Sequence, residues 1–214
     1  MAVDGMSRKE REEEVRKSHI LDVSERLFSE KGLHDTAVAD IAREAEFGVG
    51  TIYKYFKDRD TLISSLIGDR LNAHFDEIEL SLTKGSTPHE RIVSLIDAYM
   101  HSMNRRQKFF LMYFTHFHPG SHDECCRMGQ DDLILGRRKR VIGKIEDEFR
   151  EGVEQGLFVD IDPQYLASAM FGMAISFAFL ADHKFSNRGQ WDVEAMKDAL
   201  SRILFNGVQR KDEG

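Results

Sequence analysis

The sequence predicts an all-α protein of about nine helices. Apolar residues recur at helical spacing in one segment after another, and no segment shows the strict alternation of a half-buried strand. Only three prolines, at positions 88, 119 and 163, interrupt the 214 residues, so long helices can form between them. Hydrophobic residues make up 41% of the chain and charged residues 31%, which is typical of a globular helical protein with a sizeable core.

Three short helices are expected first. The first ends at Gly32, and its inward residues are Ile20, Val23, Leu27 and Phe28. Thr36 is placed to cap the second, whose inner face is Val38, Ile41, Ala42 and Ala45. After a turn at residues 46–48, the third is expected to point Ile52 and Phe56 inward. Two short helices joined by a tight turn and braced by a preceding helix form a helix-turn-helix, which places its second helix in the DNA major groove.

Six further helices are expected over residues 59–82, 88–103, 108–117, 122–155, 163–181 and 193–204. Asp58 is placed to cap the fourth helix, and Thr87 with Glu90 forms a capping box for the fifth. The eighth helix starts at Pro163 and is apolar on nearly every side, which predicts that it is buried all round.

Two sequence runs carry a family resemblance: LFSEKGLHDTAVADIAREA at residues 27–45 and GTIYKYFKDRDTL at residues 50–62. They resemble the DNA-binding domain of TetR-type (TetR/AcrR-like) transcriptional regulators. The resemblance implies an N-terminal helix-turn-helix domain over residues 1–67, with a flexible tail at residues 1–12. It also implies a C-terminal helical domain for effector binding and dimerisation over residues 68–214.

The resemblance implies a mode of action as well. A homodimer would form through helices eight and nine and bind double-stranded DNA at a palindromic operator. A small hydrophobic or aromatic effector would then release the repressor from the operator. Activation in place of repression stays open.

Ten residues are predicted to contact DNA. They are Thr36, Arg43, Val49, Gly50, Thr51, Tyr53, Lys54, Tyr55, Lys57 and Arg59. By resemblance, Thr36 donates to a phosphate, Gly50 allows close approach, and Arg59 replaces the lysine that anchors the next helix. The net charge of −7 makes local charge decisive, and the cations clustered at the end of the third helix favour phosphate contact. The alternative role for Tyr53 and Tyr55 is packing inside the helix-turn-helix domain.

The chain departs from the family pattern at three positions. Glu46 stands in the turn where the family usually has glycine, so either its backbone is awkward or the turn differs. Gly48 stands where serine is common and is a weaker helix cap. Val49 stands where lysine is common and offers an apolar contact, for example to a thymine methyl group.

An aromatic and methionine-rich set is the candidate lining of an effector pocket. Its members are Phe75, Tyr99, Met103, Phe109, Met112, Tyr113, Phe114, Met170, Met173 and Phe177. Such side chains suit a hydrophobic ligand, although each residue taken singly would equally serve the core.

A histidine and cysteine cluster supports a rival hypothesis. Its members are His116, His118, His122, Cys125 and Cys126, and together they would make a metal- or redox-responsive regulator. The spacing matches no strong metal motif, and surface histidines are the commoner explanation, so no metal or cofactor is predicted. A third hypothesis is a TetR-like fold that acts only as an interaction module.

The sequence shows no signature of an enzyme, a secreted protein or a membrane protein. No nucleophile with a base, paired carboxylates or phosphate-binding glycine loop follows from the sequence, so we do not expect an enzyme. The charged N-terminus has no apolar signal segment, and the longest apolar stretch, residues 166–181, falls short of the roughly 20 residues that span a bilayer. We therefore expect a cytoplasmic protein without membrane association.

Overall fold

The computed structural model describes residues 6–116, 132–180 and 192–208, and these residues form nine α-helices and no strand. The all-α fold class is therefore confirmed. The helices are α1 Arg8–Lys31, α2 Val38–Glu44, α3 Val49–Tyr55, α4 Arg59–Ser81, α5 Pro88–Arg105, α6 Gln107–His116, α7 Asp132–Glu154, α8 Pro163–Leu180 and α9 Val193–Val208. The predicted start of the seventh helix lies outside the described residues.

The chain divides into two compact units. The first comprises Met1–Arg70 and Met112–Asp131, and the second comprises Leu71–Leu111 and Asp132–Gly214. Helices α4 and α6 each contribute residues to both units.

The first unit is built on α1 to α3 and the first half of α4. Ser7 caps α1: its hydroxyl accepts from the Glu10 N–H at 3.2 Å, and the Glu10 carboxylate accepts from the Ser7 N–H at 2.7 Å. The helix thus begins inside the segment for which we expected a flexible tail. Its first buried residue is Ile20, so the first three turns of α1 contribute nothing to the apolar core.

Two of the expected helix caps are confirmed. The Asp58 carboxylate accepts from the Thr61 N–H at 2.7 Å at the start of α4. At the start of α5, the Thr87 hydroxyl accepts from the Glu90 N–H at 3.2 Å, and the Glu90 carboxylate accepts from the Thr87 N–H at 3.3 Å. Both caps involve partners three residues apart, which makes them readable from sequence.

The second unit is held together by ion pairs between helices as well as by its core. Arg91 of α5 binds Glu148 and Glu151 of α7 at 2.5 and 2.6 Å. Arg137 of α7 binds Asp76 and Glu79 of α4. Each arginine side chain is at most 20% exposed and binds two carboxylates of a neighbouring helix, so the two arginines fix how these helices are aligned.

One face of α8 is exposed in the single chain, so burial on every side, as the sequence predicts, would require a partner to cover that face. Tyr165 is 69% exposed, and three small residues on the same side, Ser168, Gly172 and Ser176, are exposed too. Leu166, Met170 and Ala174, among others, point into the core. Hydropathy did not separate the two faces because small residues resemble buried ones on such a scale. No helix in the described ranges is long and apolar enough to cross a membrane.

Candidate nucleic-acid interface

Helix α3 is fixed by its inner side and presents a free outer side. Ile52 and the adjoining Phe56 are each 1% exposed, as the sequence predicts. Four residues lie on the outer side: Val49, Gly50, Tyr53 and Lys54. Their spacing places them on one face of the helix. Val49 is 41% exposed and Tyr53 is 48% exposed, although both are large hydrophobic side chains.

The turn before α3 contains a strained residue. Glu46 has a φ of 57°, in the left-handed region that favours glycine. Its N–H donates to the Arg43 carbonyl at 3.2 Å, and the next N–H, of Phe47, donates to the Ala42 carbonyl at 2.9 Å. The turn therefore keeps the geometry of a glycine turn with a glutamate in place, and the awkward backbone expected at Glu46 is confirmed.

Two glycines lie at the start of α3, and neither is required by the packing of the protein. Gly48 is the N-cap residue, with no side chain to accept from the helix N–H groups. A Cβ added at Gly50 would have no other atom within 4 Å. The protein's own packing therefore does not explain Gly50, which would be better replaced by alanine on helix propensity alone.

The remaining predicted DNA residues flank this outer face. Lys57 is exposed, while Thr51 and Tyr55 are half-buried. The Lys54 ammonium lies 6.0 Å from the centre of the Tyr55 ring. Arg43 of α2 is exposed and binds Asp40 at 2.5 Å.

Thr36 does not face solvent, so its predicted phosphate contact is wrong. The residue is 1% exposed, and its hydroxyl donates to the Gly32 carbonyl at 2.9 Å. Its predicted role as the cap of α2 is also wrong, because Ala37 is the N-cap residue. The carbonyls at the end of α1 are left without helical partners, and the Thr36 hydroxyl satisfies one of them.

Arg59 is likewise used inside the first unit. Its guanidinium donates to the Leu33 carbonyl and lies 5.8 Å from the centre of the Phe28 ring. These contacts fix the start of α4 against α1 and its following loop. A phosphate contact by Arg59 would have to share the same guanidinium.

The structure does not bring the ten predicted pocket residues into one unit. Phe75, Tyr99, Met103, Phe109 and Met170 are buried in the second unit, and Met173 there is half-buried. Met112, Tyr113 and Phe114 belong to the first unit. The side chain of Phe177 lies outside the described part of the chain.

A buried polar pair in the second unit was missed by the sequence analysis. The His74 Nδ1 atom lies 2.9 Å from the Ser102 hydroxyl. Burial, and then the charge of Arg105, lowers the pKa of His74 to about 4. The sequence did carry a signal for this pair, because His74 and Ser102 occupy inward positions on the otherwise apolar faces of α4 and α5.

The metal hypothesis is tested only at its first residue. The His116 ring lies 5.8 Å, between ring centres, from the ring of His34. No group of three or more histidine, cysteine, aspartate or glutamate residues in the described ranges could hold a metal ion. His118, His122, Cys125 and Cys126 lie outside those ranges, so the hypothesis stays a prediction.

Comparisons with known proteins decide the family. The family model described as bacterial regulatory proteins, tetR family, matches residues 20–66. A second model, the tetracyclin repressor-like C-terminal domain, matches residues 85–208 and thus more than half of the chain. The protein belongs to the TetR family. It is accordingly a DNA-binding transcriptional regulator, and the resemblance found in the sequence is confirmed.

Individual relatives are distant. The TetR-family chain is 26% identical over 156 residues to the transcriptional repressor KstR2 of Mycolicibacterium smegmatis, covering 70% of this chain and 72% of the relative. It is 19% identical over 193 residues to the fatty acid metabolism regulator protein of Bacillus subtilis, covering 90% and 95%. A crystal structure of AibR with isovaleryl coenzyme A and operator DNA matches with a TM-score of 0.73 at 19% identity, covering 90% of this chain and 99% of that one. The structural match supports the fold alone.

Proposed function

We propose that this protein is a homodimeric repressor that binds a palindromic operator through α3 and leaves it when a small apolar effector binds. The observation that carries the proposal is the outer face of α3, where apolar, aromatic and cationic side chains surround a glycine that the fold does not need. The effector and the dimer interface rest on further observations in the second unit.

The outer face of α3 has the chemistry of a major-groove surface. Val49 offers an apolar contact to a thymine methyl group, which can contribute to base readout. Tyr53 and Lys54 can donate to phosphates, which fixes register without reading sequence. Lys57 extends the positive charge beyond the helix end, with Arg43 on α2, Thr51 and Tyr55 at the flanks.

Gly50 adds an argument of its own. Gly50 is the second residue of α3, and a helical glycine costs up to about 1 kcal/mol relative to alanine. No packing within the protein compensates for this, since the space beside Gly50 is open. A partner that must approach the α3 backbone closely, such as a DNA groove wall, supplies the missing reason.

The exposed side of α8 supports a homodimer through α8 and α9. Gly172 is exposed, and a Cβ added there would have no other atom within 4 Å. Small residues along an apolar helix let a second helix approach closely, and Ile203 on α9 is 57% exposed. A twofold dimer would present two α3 helices, and a palindromic operator follows from that symmetry.

The effector is proposed to be apolar because the buried residues of α4, α5 and α8 in the second unit are mostly apolar and include Phe75, Tyr99 and Met170. Relatives that are named as a ketosteroid transcriptional regulator and a fatty acid metabolism regulator, and AibR in complex with isovaleryl coenzyme A, are consistent with an effector that has an apolar part. Since α4 contributes to both units, an effector-induced shift of this helix would reach the DNA-binding unit. Differential affinity for the shifted and unshifted states would provide the release.

Selection of duplexes from a random DNA library by the full-length protein tests the proposal. A palindrome should be enriched, and Lys54→Ala should weaken binding and lower the salt slope by about one. Lys84→Ala removes an exposed lysine from the second unit and is the matched control. Absence of any enriched sequence, or equal losses in both variants, would contradict the proposed DNA face.

The dimer needs its own measurement. Sedimentation of the free protein should give a dimer, which Gly172→Arg dissociates. Gly143→Arg on α7 is the control, because that helical glycine also has open space beside it. A monomeric wild type, or a dimer that survives Gly172→Arg, would contradict the proposed interface.

A further inference from the structure

The polar pair His74–Ser102 sits among aromatic rings of the second unit. His74 is 5% exposed and Ser102 is 2% exposed. The His74 ring centre lies 4.8 Å from that of Phe110, 5.1 Å from that of Tyr99 and 6.1 Å from that of Phe75. A histidine enclosed in this way needs a hydrogen-bond partner for each ring nitrogen or leaves a buried polar atom unsatisfied.

The hydroxyl of Ser102 determines which ring nitrogen carries the hydrogen. Other serines in helices, namely Ser24, Ser81 and Ser176, donate to carbonyls of their own helices at 2.7 to 2.8 Å. Within the described residues, Ser102 makes no such bond, and its hydroxyl contacts the His74 Nδ1 atom. A buried hydroxyl needs an acceptor, so Ser102 donates to Nδ1 and the imidazole hydrogen lies on Nε2.

This arrangement leaves Nε2–H as a donor without a hydrogen-bond partner among the described residues. We propose that His74 uses this N–H to recognise an uncharged acceptor oxygen of the effector, such as a ketone, ester or thioester carbonyl in an otherwise apolar molecule. Ser102 is the positioning residue that holds the required tautomer. The inference rests on the proposed function, because it assigns the class of ligand for the same effector-binding unit.

The charges around the pair agree with a neutral ligand group. The pKa of His74 lies well below neutrality, so the imidazole carries no charge for an anion to pair with. The Arg105 guanidinium is the nearby cation that contributes to this shift, and it binds both carboxylate oxygens of Glu77 at 2.6 Å. His74 and Ser102 offer no carboxylate to a ligand ammonium. A ligand carboxylate would lose its hydration without gaining a cation, because Arg105 is already paired with Glu77.

Calorimetry on the full-length protein tests the proposal with matched probes. Uncharged S-butyl thioesters of increasing acyl-chain length are compared with the butyl alkyl thioethers that lack only the carbonyl oxygen, and progesterone is added as an uncharged ketone. The best thioester should bind about tenfold more tightly than its thioether, the effect of one hydrogen bond. His74→Phe, which keeps a ring and removes the donor, should abolish that preference.

Further variants separate recognition from folding. His74→Gln retains an N–H donor and should restore part of the preference, while Ser102→Ala should reduce it. His101→Phe, on the same helix as Ser102, should leave it unchanged. A thioester preference that survives His74→Phe, or failure of every carbonyl probe to bind the folded wild type, would overturn the proposal.

A measurement without ligand provides an independent arm. Nitrogen-15 spectra of labelled histidine in the free protein should show His74 as the neutral Nε2–H tautomer, and the Nδ1–H tautomer would overturn the assignment. The proposed repressor function can fail separately: carbonyl probes that bind but leave DNA binding unchanged would contradict it and leave His74 recognition standing.

Discussion

The ring of Phe158 lies directly against the backbone of Gly152, near the C-terminal end of α7. A Cβ added at Gly152 would lie 2.2 Å from the Cδ2 and Cε2 atoms of Phe158. The Phe158 ring in turn contacts Phe149 and Phe205, with ring centres 5.9 and 6.2 Å apart. The glycine therefore allows α7 and α9 to share one aromatic cluster.

Gly152→Ala should destabilise the protein because the ring and its neighbours would have to move. We expect a loss of about 1–3 kcal/mol in the free energy of unfolding, the usual cost of overpacking a core. Urea denaturation measures it. Gly143→Ala, where a Cβ meets open space, is the control and should be neutral or stabilising; equal effects of the two variants would contradict the packing argument.

Gly48→Ser should stabilise the first unit. Gly48 has ordinary backbone angles for a capping residue and space for a side chain, so serine can accept from a free N–H of α3. A gain of a few tenths of a kcal/mol up to about 1 is expected from denaturation curves. Gly48→Ala fits the same space without an acceptor, and a gain as large as that of serine would show that capping is not the cause.

Glu46→Gly should also stabilise, through the backbone. Left-handed φ costs an L-residue roughly 1 kcal/mol or more, and glycine avoids that strain although its unfolded chain is more flexible. Glu46→Ala keeps the strain and should give no comparable gain. Differential unfolding of the two variants is the measurement, and indistinguishable midpoints would contradict the strain.

Gly50→Ala should separate stability from DNA binding. Alanine is the better helix former, so the free energy of unfolding should rise by up to about 1 kcal/mol. Affinity for a selected operator should fall, because the added methyl group faces the proposed groove. Gly143→Ala supplies the same helix-forming gain away from α3 and should leave affinity unchanged. If Gly50→Ala binds the operator as tightly as the wild type, DNA does not approach the α3 backbone closely at Gly50.

His74 should make stability depend on pH. Its folded pKa of about 4 lies below the ordinary 6.5, so the unfolded chain binds the proton more readily. The contribution is fully present above pH 6.5 and is lost as pH falls toward 4, by roughly 1.4 kcal/mol per pH unit. His74→Phe should flatten the pH profile across this window relative to wild type. Parallel profiles for the two proteins would show that His74 is already protonated or exposed.

Local signals in the sequence predicted the structure well, and partners distant in sequence did not. The caps at Asp58 and Thr87 use partners three residues away, and the inward residues of α3 follow from helical spacing. Thr36 was misplaced because its hydroxyl donates back to the Gly32 carbonyl after α1, while its position just before α2 is equally typical of a cap for the following helix. His74 and Ser102 are 28 residues apart, and only packing brings them together.

The exposed first half of α1 affects how the unfolding of this protein should be measured. Residues 8–19 form helix without a buried residue among them, so capping and local propensity hold them. This segment should fray gradually on heating, before the packed units unfold together. Far-ultraviolet circular dichroism would then show a sloping baseline that a two-state fit mistakes for reduced cooperativity. Fluorescence or near-ultraviolet signals from packed aromatic rings would follow the cooperative step alone.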